Sequence, residues 1–190
     1  MVGDGKRRRR SIRLKGYDYA QAGAYFVTIC TRDRACLFGD VVDGQMRLNE
    51  CGRVVADSWL WLSDRYSHVD LDGWVVMPNH LHGIIILTGP DGRGGSRTAP
   101  TENRKPIGRL IGAFKTVSTK RLNTIRNTPG VPVWQRNYYE HIVRSEESMH
   151  QIRRYIVDNP TRWEEDRENP NVVGAVRKPP LHEPEGPWPA

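Results

Sequence analysis

A single α+β domain is predicted by two observations. Three segments, 24–31, 69–77 and 80–87, are dense in β-branched and aromatic residues, the composition of strands half or fully covered by other layers. Three others, 50–66, 107–126 and 145–159, carry apolar residues near helical spacing. At 190 residues the chain is long enough for one well-buried domain with length left over for tails.

Residues 1–16 hold Lys6 to Arg10, Arg13 and Lys15 with little to bury, and read as a flexible basic arm. Ala24 to Thr31 forms a first strand, expected to be central, ended by Arg32-Asp33-Arg34. After a short strand at Gln45 to Leu48, Asn49 offers a cap for a helix on which Val54, Val55, Trp59 and Leu62 recur. Val69 to Met77 and His80 to Leu87 read as a hairpin about Pro78-Asn79, because one unbroken strand of that length is uncommon. Residues 88–106, with Gly89, Gly92, Gly94 and Gly95, read as a flexible loop.

Ile107 to Arg126 is an amphipathic helix whose polar side is basic. Residues 131–144 suggest an edge strand in two extended pieces. Ser145, followed by Glu146 and Glu147, caps a last helix. It should end near Asn159, since Pro160 disfavours helical geometry in the residue before it. The proline-rich residues 166–190 read as an extended tail.

The chemistry concentrates at Met77-Pro78-Asn79-His80-Leu81-His82. In a strand, residues two apart share a face, so His80 and His82 form a chelating pair while Leu81 turns to the opposite, packing face. A second site must supply the remaining ligands. Tyr155 and Asn159, four apart on the last helix, share a face and offer a nucleophile and an amide oxygen together. A phenol with a pKa near ~10 needs help to attack at neutral pH, and Arg153, Arg154 or a bound metal are candidates to give it.

Charge and cysteine usage narrow the partners. A net charge of +7 and a pI near 9.6 favour a polyanion. Nucleic acid leads a membrane, because no apolar run approaches the roughly 18 residues that span a bilayer. The cysteines Cys30, Cys36 and Cys51 form no CxxC pair and suggest neither a disulfide framework nor a thiolate zinc site, which fits a reducing cytoplasm.

Tyr25-Phe26-Val27-Thr28 with Arg34, Val76 to His82, Ala113-Phe114-Lys115, Trp134-Gln135-Arg136 with Glu140-His141, and Tyr155 to Pro160 occur in an order that resembles the REP-associated tyrosine transposases. These are members of the HUH single-tyrosine transposases of insertion sequences. The resemblance spans about residues 17–163. It implies a ferredoxin-like antiparallel sheet with helices packed on one face, and cutting and rejoining of single-stranded DNA beside a hairpin. Carried over, His80 and His82 match the paired ligands of a divalent cation (Mg²⁺ or Mn²⁺), Asn159 falls at the third ligand and Tyr155 at the nucleophile. Tyr138 and Tyr139 match no nucleophile position. Relatives include monomers and helix-swapped homodimers.

DNA contacts are expected from Arg109, Lys115, Lys120, Arg121 and Arg136, and from Arg13 and Lys15 on the arm, with bases stacked on Tyr17, Tyr19 or Trp134. Two other functions fit the same residues: a domesticated hairpin-DNA-binding module without cleavage, and a metal-dependent phosphodiesterase that uses water. A zinc-structured interaction protein is the poorer reading, because two further thiol or imidazole ligands are not near His80 and His82 in sequence.

Overall fold

The computed structural model describes residues 16–89 and 105–172. In chain order the elements are β1 (Gly23–Cys30), β2 (Gly39–Val42), β3 (Gln45–Leu48), α1 (Glu50–Arg65), β4 (Val69–Val76), β5 (His80–Leu87), α2 (Ile107–Ile125), β6 (Tyr139–Val143) and α3 (Glu146–Asp158). Four strands form one sheet in the order β4-β5-β1-β6, and every neighbouring pair is antiparallel. With β2 and β3 set apart as a separate hairpin, the order is that of a ferredoxin-like β-α-β-β-α-β unit. β1 is central, as its composition predicts, and β4 and β5 pair as a hairpin about Pro78-Asn79.

The β2–β3 hairpin turns at Asp43-Gly44, both with positive φ (53° and 70°). That geometry matches the twist of the flanking strands and suits an Asp-Gly pair. Sequence patterning found β3 but not its partner.

Residue alternation along β1 and β5 divides the sheet into two faces. Tyr25, Val27, Ile29, Leu81 and Ile85 pack in one buried cluster with Val55, Trp59 and Leu62 of α1 and Leu110, Phe114 and Leu122 of α2. Trp59 lies so close to β5 that a Cβ at Gly83 would stand 2.5 Å from its ring. A larger residue there would lift the helix off the sheet.

The opposite face carries Phe26 and Ile84 against Ile152 and Ile156 of α3. The two long helices thus share one face as expected, while α3 covers the other. Its amphipathic stripe gave no information on which side of the sheet it would dock. Ser145 caps α3, its hydroxyl accepting from the Ser148 N–H at 3.1 Å.

At its other end α3 gives way to a 3₁₀ segment, Pro160–Glu165. Asn159 keeps helical angles (φ −60°, ψ −42°) despite the following proline, so the chain tightens here instead of breaking. Residues 166–172, expected at the start of an extended tail, turn back onto the sheet, with Glu168 and Asn169 buried. The remainder of the expected tail, nearly all of the arm and most of the 88–106 loop lie outside the described residues.

Candidate active site

Three elements meet where β5 begins. β5 presents His80 and His82 to the α3 side, and both are buried. Leu81 points into the α1/α2 core, as alternation requires. The imidazoles converge, with Nε2 to Nε2 at 3.0 Å. Phe26 of β1 stacks on His82 at 5.5 Å between centroids and meets the Tyr155 ring edge-on at 6.0 Å. That packing sets the phenol of α3 against the pair, with Tyr155 Oη 3.3 Å from His82 Nε2.

The outer nitrogens are held as well. His82 Nδ1 lies 2.8 Å from Thr28 Oγ1, and His80 Nδ1 lies 2.8 Å from Asn79 Oδ1. Burial lowers the pKa of both rings below the ordinary 6.5, and the proximity of His80 lowers that of His82 further. Asp166 and Glu168 oppose the shift at His80.

Asn159 closes the site from the end of α3. Its side chain lies near enough to His80 and Tyr155 to bias the protonation of each, its Nδ2 donates to Asp166 at 3.4 Å, and its Oδ1 is buried with no hydrogen-bond partner among the described residues. An orphaned amide oxygen in a buried polar site is costly unless something occupies it.

Asp166 is a candidate site residue that sequence reasoning missed. One of its carboxylate oxygens lies within 4.8 Å of ligand nitrogens on both His80 and His82. Two imidazoles, a carboxylate and an amide oxygen form a donor set suited to a divalent metal. No local spacing announces Asp166, because the turn at 166–169 brings it in. That turn is anchored by Arg34, whose guanidinium donates to the Arg167 carbonyl at 2.7 Å and pairs with Glu168 at 3.3 Å. Trp163 was missed too, its ring lying 6.0 Å from His80.

Burial pushes the pKa of the Tyr155 phenol up to about 12, and Asp166 adds to the shift. Arg167 and Asn159 act the other way. The sequence offered Arg153 and Arg154 for that task. Arg153 instead makes a two-pronged pair with Asp72 on β4, at 2.8 Å in each arm, and Arg154 pairs with Asp158.

The expected DNA-binding residues do not gather at the histidines. Arg109, Lys115, Lys120 and Arg121 belong to α2, which packs on the far face of the sheet. Arg109 and Lys120 are exposed, and Arg121 donates to Ser58 Oγ of α1 at 3.3 Å. Lys115 Nζ donates to the carbonyls of Gln135 and Asn137, and burial lowers its pKa to about 8. It is a strut for the 135–137 segment. Arg136 is exposed on that segment, and Arg13 and Lys15 lie outside the described residues.

Trp134 is buried among Phe38 and Phe114 and donates its indole N–H to Ser118, which leaves no open ring face for a base. Tyr17 and Tyr19 pack together against Tyr25. Tyr139 stands edge-on to Phe26 on the histidine face, whereas Tyr138 donates to Glu140 at 2.6 Å.

No family model matches the chain. It is 41% identical over 169 residues to an uncharacterized protein of Haemophilus influenzae strain Rd, spanning 84% of this chain and 92% of that one. The two belong to one family. Among solved structures the chain resembles a REP-associated tyrosine transposase bound to a REP hairpin, with a TM-score of 0.51 and 17% identity over 79% of this chain and 73% of that chain. The fold is that of this transposase. A protein of Deinococcus radiodurans R1 superposes at a TM-score of 0.41 and 20% identity over 77% of this chain and 95% of that one, too loosely to bear on function. Among the described residues no helix is long and apolar enough to cross a membrane.

Proposed function

We propose that this protein is a transposase-like single-strand DNA endonuclease and strand transferase, with Tyr155 as nucleophile. The observation that carries the reading is the placement of the Tyr155 phenol 3.3 Å from His82 Nε2, within a buried pair of imidazoles. The fold shared with a transposase bound to a REP hairpin supports hairpin DNA as the partner class.

His80 Nε2, His82 Nε2 and Asn159 Oδ1 would hold Mg²⁺ or Mn²⁺, with Asp166 a further donor in reach. Mn²⁺, which accepts imidazole more readily, is the better metal in vitro. Bound there, the cation supplies Lewis-acid polarisation of the scissile phosphate.

The chain's residues do the rest. Phe26 orients the Tyr155 ring, and Arg167 favours its phenolate. In the reaction the Tyr155 phenol gives up its proton to solvent, the Oη–P bond forms while the P–O3′ bond breaks, and the departing O3′ takes up a proton from solvent. The product is a 5′-phosphotyrosine and a free 3′ hydroxyl. Attack by a 3′ hydroxyl on such a linkage reverses these changes, so strand joining requires no ATP. Tyr155 stands beside a histidine of its own chain, so one chain can hold both halves of the site without exchange of helices in a homodimer.

The test is a denaturing-gel assay with labelled single-stranded hairpin oligonucleotides drawn from the DNA flanking its gene. Wild type should give a Mn²⁺-dependent labelled protein band, and Tyr155→Phe should give none. Cleavage by both without an adduct would establish a water-using phosphodiesterase instead. Hairpin binding with neither cleavage nor adduct would establish a binding module.

A further inference from the structure

The hydrogen bonds around Asn79 decide which nitrogen of His80 carries a proton. Asn79 is fully buried between β4 and β5. Its Nδ2 donates to two backbone carbonyls, those of Arg34 at 3.1 Å and Glu168 at 2.7 Å. Both amide hydrogens are therefore spoken for, and the amide cannot rotate by half a turn without setting its oxygen against two carbonyl oxygens. Oδ1 must face His80 Nδ1, 2.8 Å away. An amide oxygen only accepts, so His80 Nδ1 must carry a hydrogen, and Nε2 is left as the bare nitrogen of the neutral ring.

We propose that Asn79 is a positioning residue that locks His80 in its Nδ1–H form and so presents Nε2 as a ready ligand for a divalent cation. The inference rests on the reading of His80 as a metal ligand. It assigns a task to residues 34 and 168 as well, since their carbonyls hold the amide. The turn after the last helix thereby helps to set a ligand in the hairpin between β4 and β5.

The two histidines then differ. With His80 Nε2 bare, the neighbouring His82 Nε2 at 3.0 Å carries the hydrogen between them in the metal-free protein, because two lone pairs do not face each other at that distance. His82 Nδ1 is then an acceptor from the Thr28 hydroxyl. A hydroxyl both donates and accepts. When His82 Nε2 ligates, its proton exchanges through solvent and Nδ1 gains one, with Thr28 turning from donor to acceptor. One ring is fixed and the other switches.

The first test reads the metal-free wild type by long-range ¹H–¹⁵N correlation of its imidazoles. His80 should show the Nδ1–H pattern and His82 the Nε2–H pattern. The second measures Mn²⁺ affinity by electron paramagnetic resonance for wild type and Asn79→Ala, each checked for native circular dichroism. Removal of such an outer hydrogen bond should weaken binding about 10–100-fold, and the His80 pattern should become mixed. Asn79→Ser, which keeps a polar group of smaller reach, serves if the alanine variant does not fold.

An Nε2–H pattern at His80 in a wild type that binds Mn²⁺ would overturn the proposal alone, as would unchanged affinity in a folded variant. A wild type that binds no Mn²⁺ would overturn the metal reading on which it rests. A merely structural role for Asn79 would leave the His80 pattern in the folded variant unmoved.

Discussion

At Tyr155 and its neighbours, the proposed chemistry turns on where protons sit. Burial lowers the pKa of His80 and His82 below 6.5 in the native protein, whereas the unfolded chain takes up protons at both as pH falls through about 6.5. Unfolding therefore binds protons in acid, and stability falls with pH below that point. Chemical denaturation at pH 7.5 and 5.5 should show a lower midpoint at 5.5, and His80→Gln/His82→Gln should narrow the gap; an equal gap would show that other groups set it. Asn159 makes a separate prediction. With its Oδ1 buried and unpartnered among the described residues, Asn159→Ala should raise the Mn²⁺ concentration needed for half-maximal cleavage at least tenfold, on the order of the effect of removing one group that holds or orients a metal. DNA binding in a gel shift should be largely unchanged. Unaltered metal dependence would remove Asn159 from the site.

At the scale of elements, the question is what aims α3. β4 is irregular between Leu71 and Trp74, and such an irregularity re-aims a side chain. Asp72 lies in it and receives both arms of Arg153, which lowers its pKa. A Cβ at Gly73 would lie 3.8 Å from the Arg153 stem and from Ile156, in ordinary contact. The pair is partly exposed, 42% at Arg153 and 20% at Asp72, so Asp72→Ala should cost only about 0.5–1 kcal/mol of stability. Its effect on adduct formation should be larger, roughly tenfold or more, because displacement of about 1 Å at a reacting atom is costly. A melt and an adduct assay on the same variant separate the two, and an unchanged adduct rate would show that Phe26 packing alone aims Tyr155. On the other face Gly83 is required, because a Cβ there would press into the Trp59 ring and strain α1.

At the scale of the molecule, charge and chemistry are divided between the faces of the sheet. The histidine face carries the candidate reaction, while α2 carries exposed Arg109 and Lys120 on the other. A strand gripped at its phosphates by α2 would have to pass round a sheet edge to reach Tyr155. Arg167, which bears on the phenol, stands closer to such a path. With a net charge of +7, the proposed DNA binding should be salt-dependent in any arrangement. Deleting residues 1–15, which contain Lys6 to Arg10, Arg13 and Lys15, should flatten the slope of log affinity against log salt by about 0.7 for each phosphate that the arm neutralises. An identical slope would show that the arm neutralises none.

Local physics determined what short stretches of this sequence carry. Period-two alternation put His80 and His82 on one face and Leu81 on the other, and the Ser145 and Asn49 caps were legible because capping is a matter of three residues. The hairpin at Pro78-Asn79 and the central place of β1 were legible for similar reasons. The meeting of β5 with α3 was legible only through the order of motifs. Tertiary structure decided the rest. It placed α3 on the face away from α1 and α2, a choice that an amphipathic helix leaves open. It assigned Arg153 and Lys115 to structural bonds, since a charged residue in sequence does not disclose the partner that neutralises it. It folded residues 166–169 back so that Asp166 reaches the histidines and the Glu168 carbonyl holds Asn79. Those pairings join residues 84 and 89 positions apart (Asp166 to His82, Glu168 to Asn79), and no local pattern encodes an interaction over such a separation.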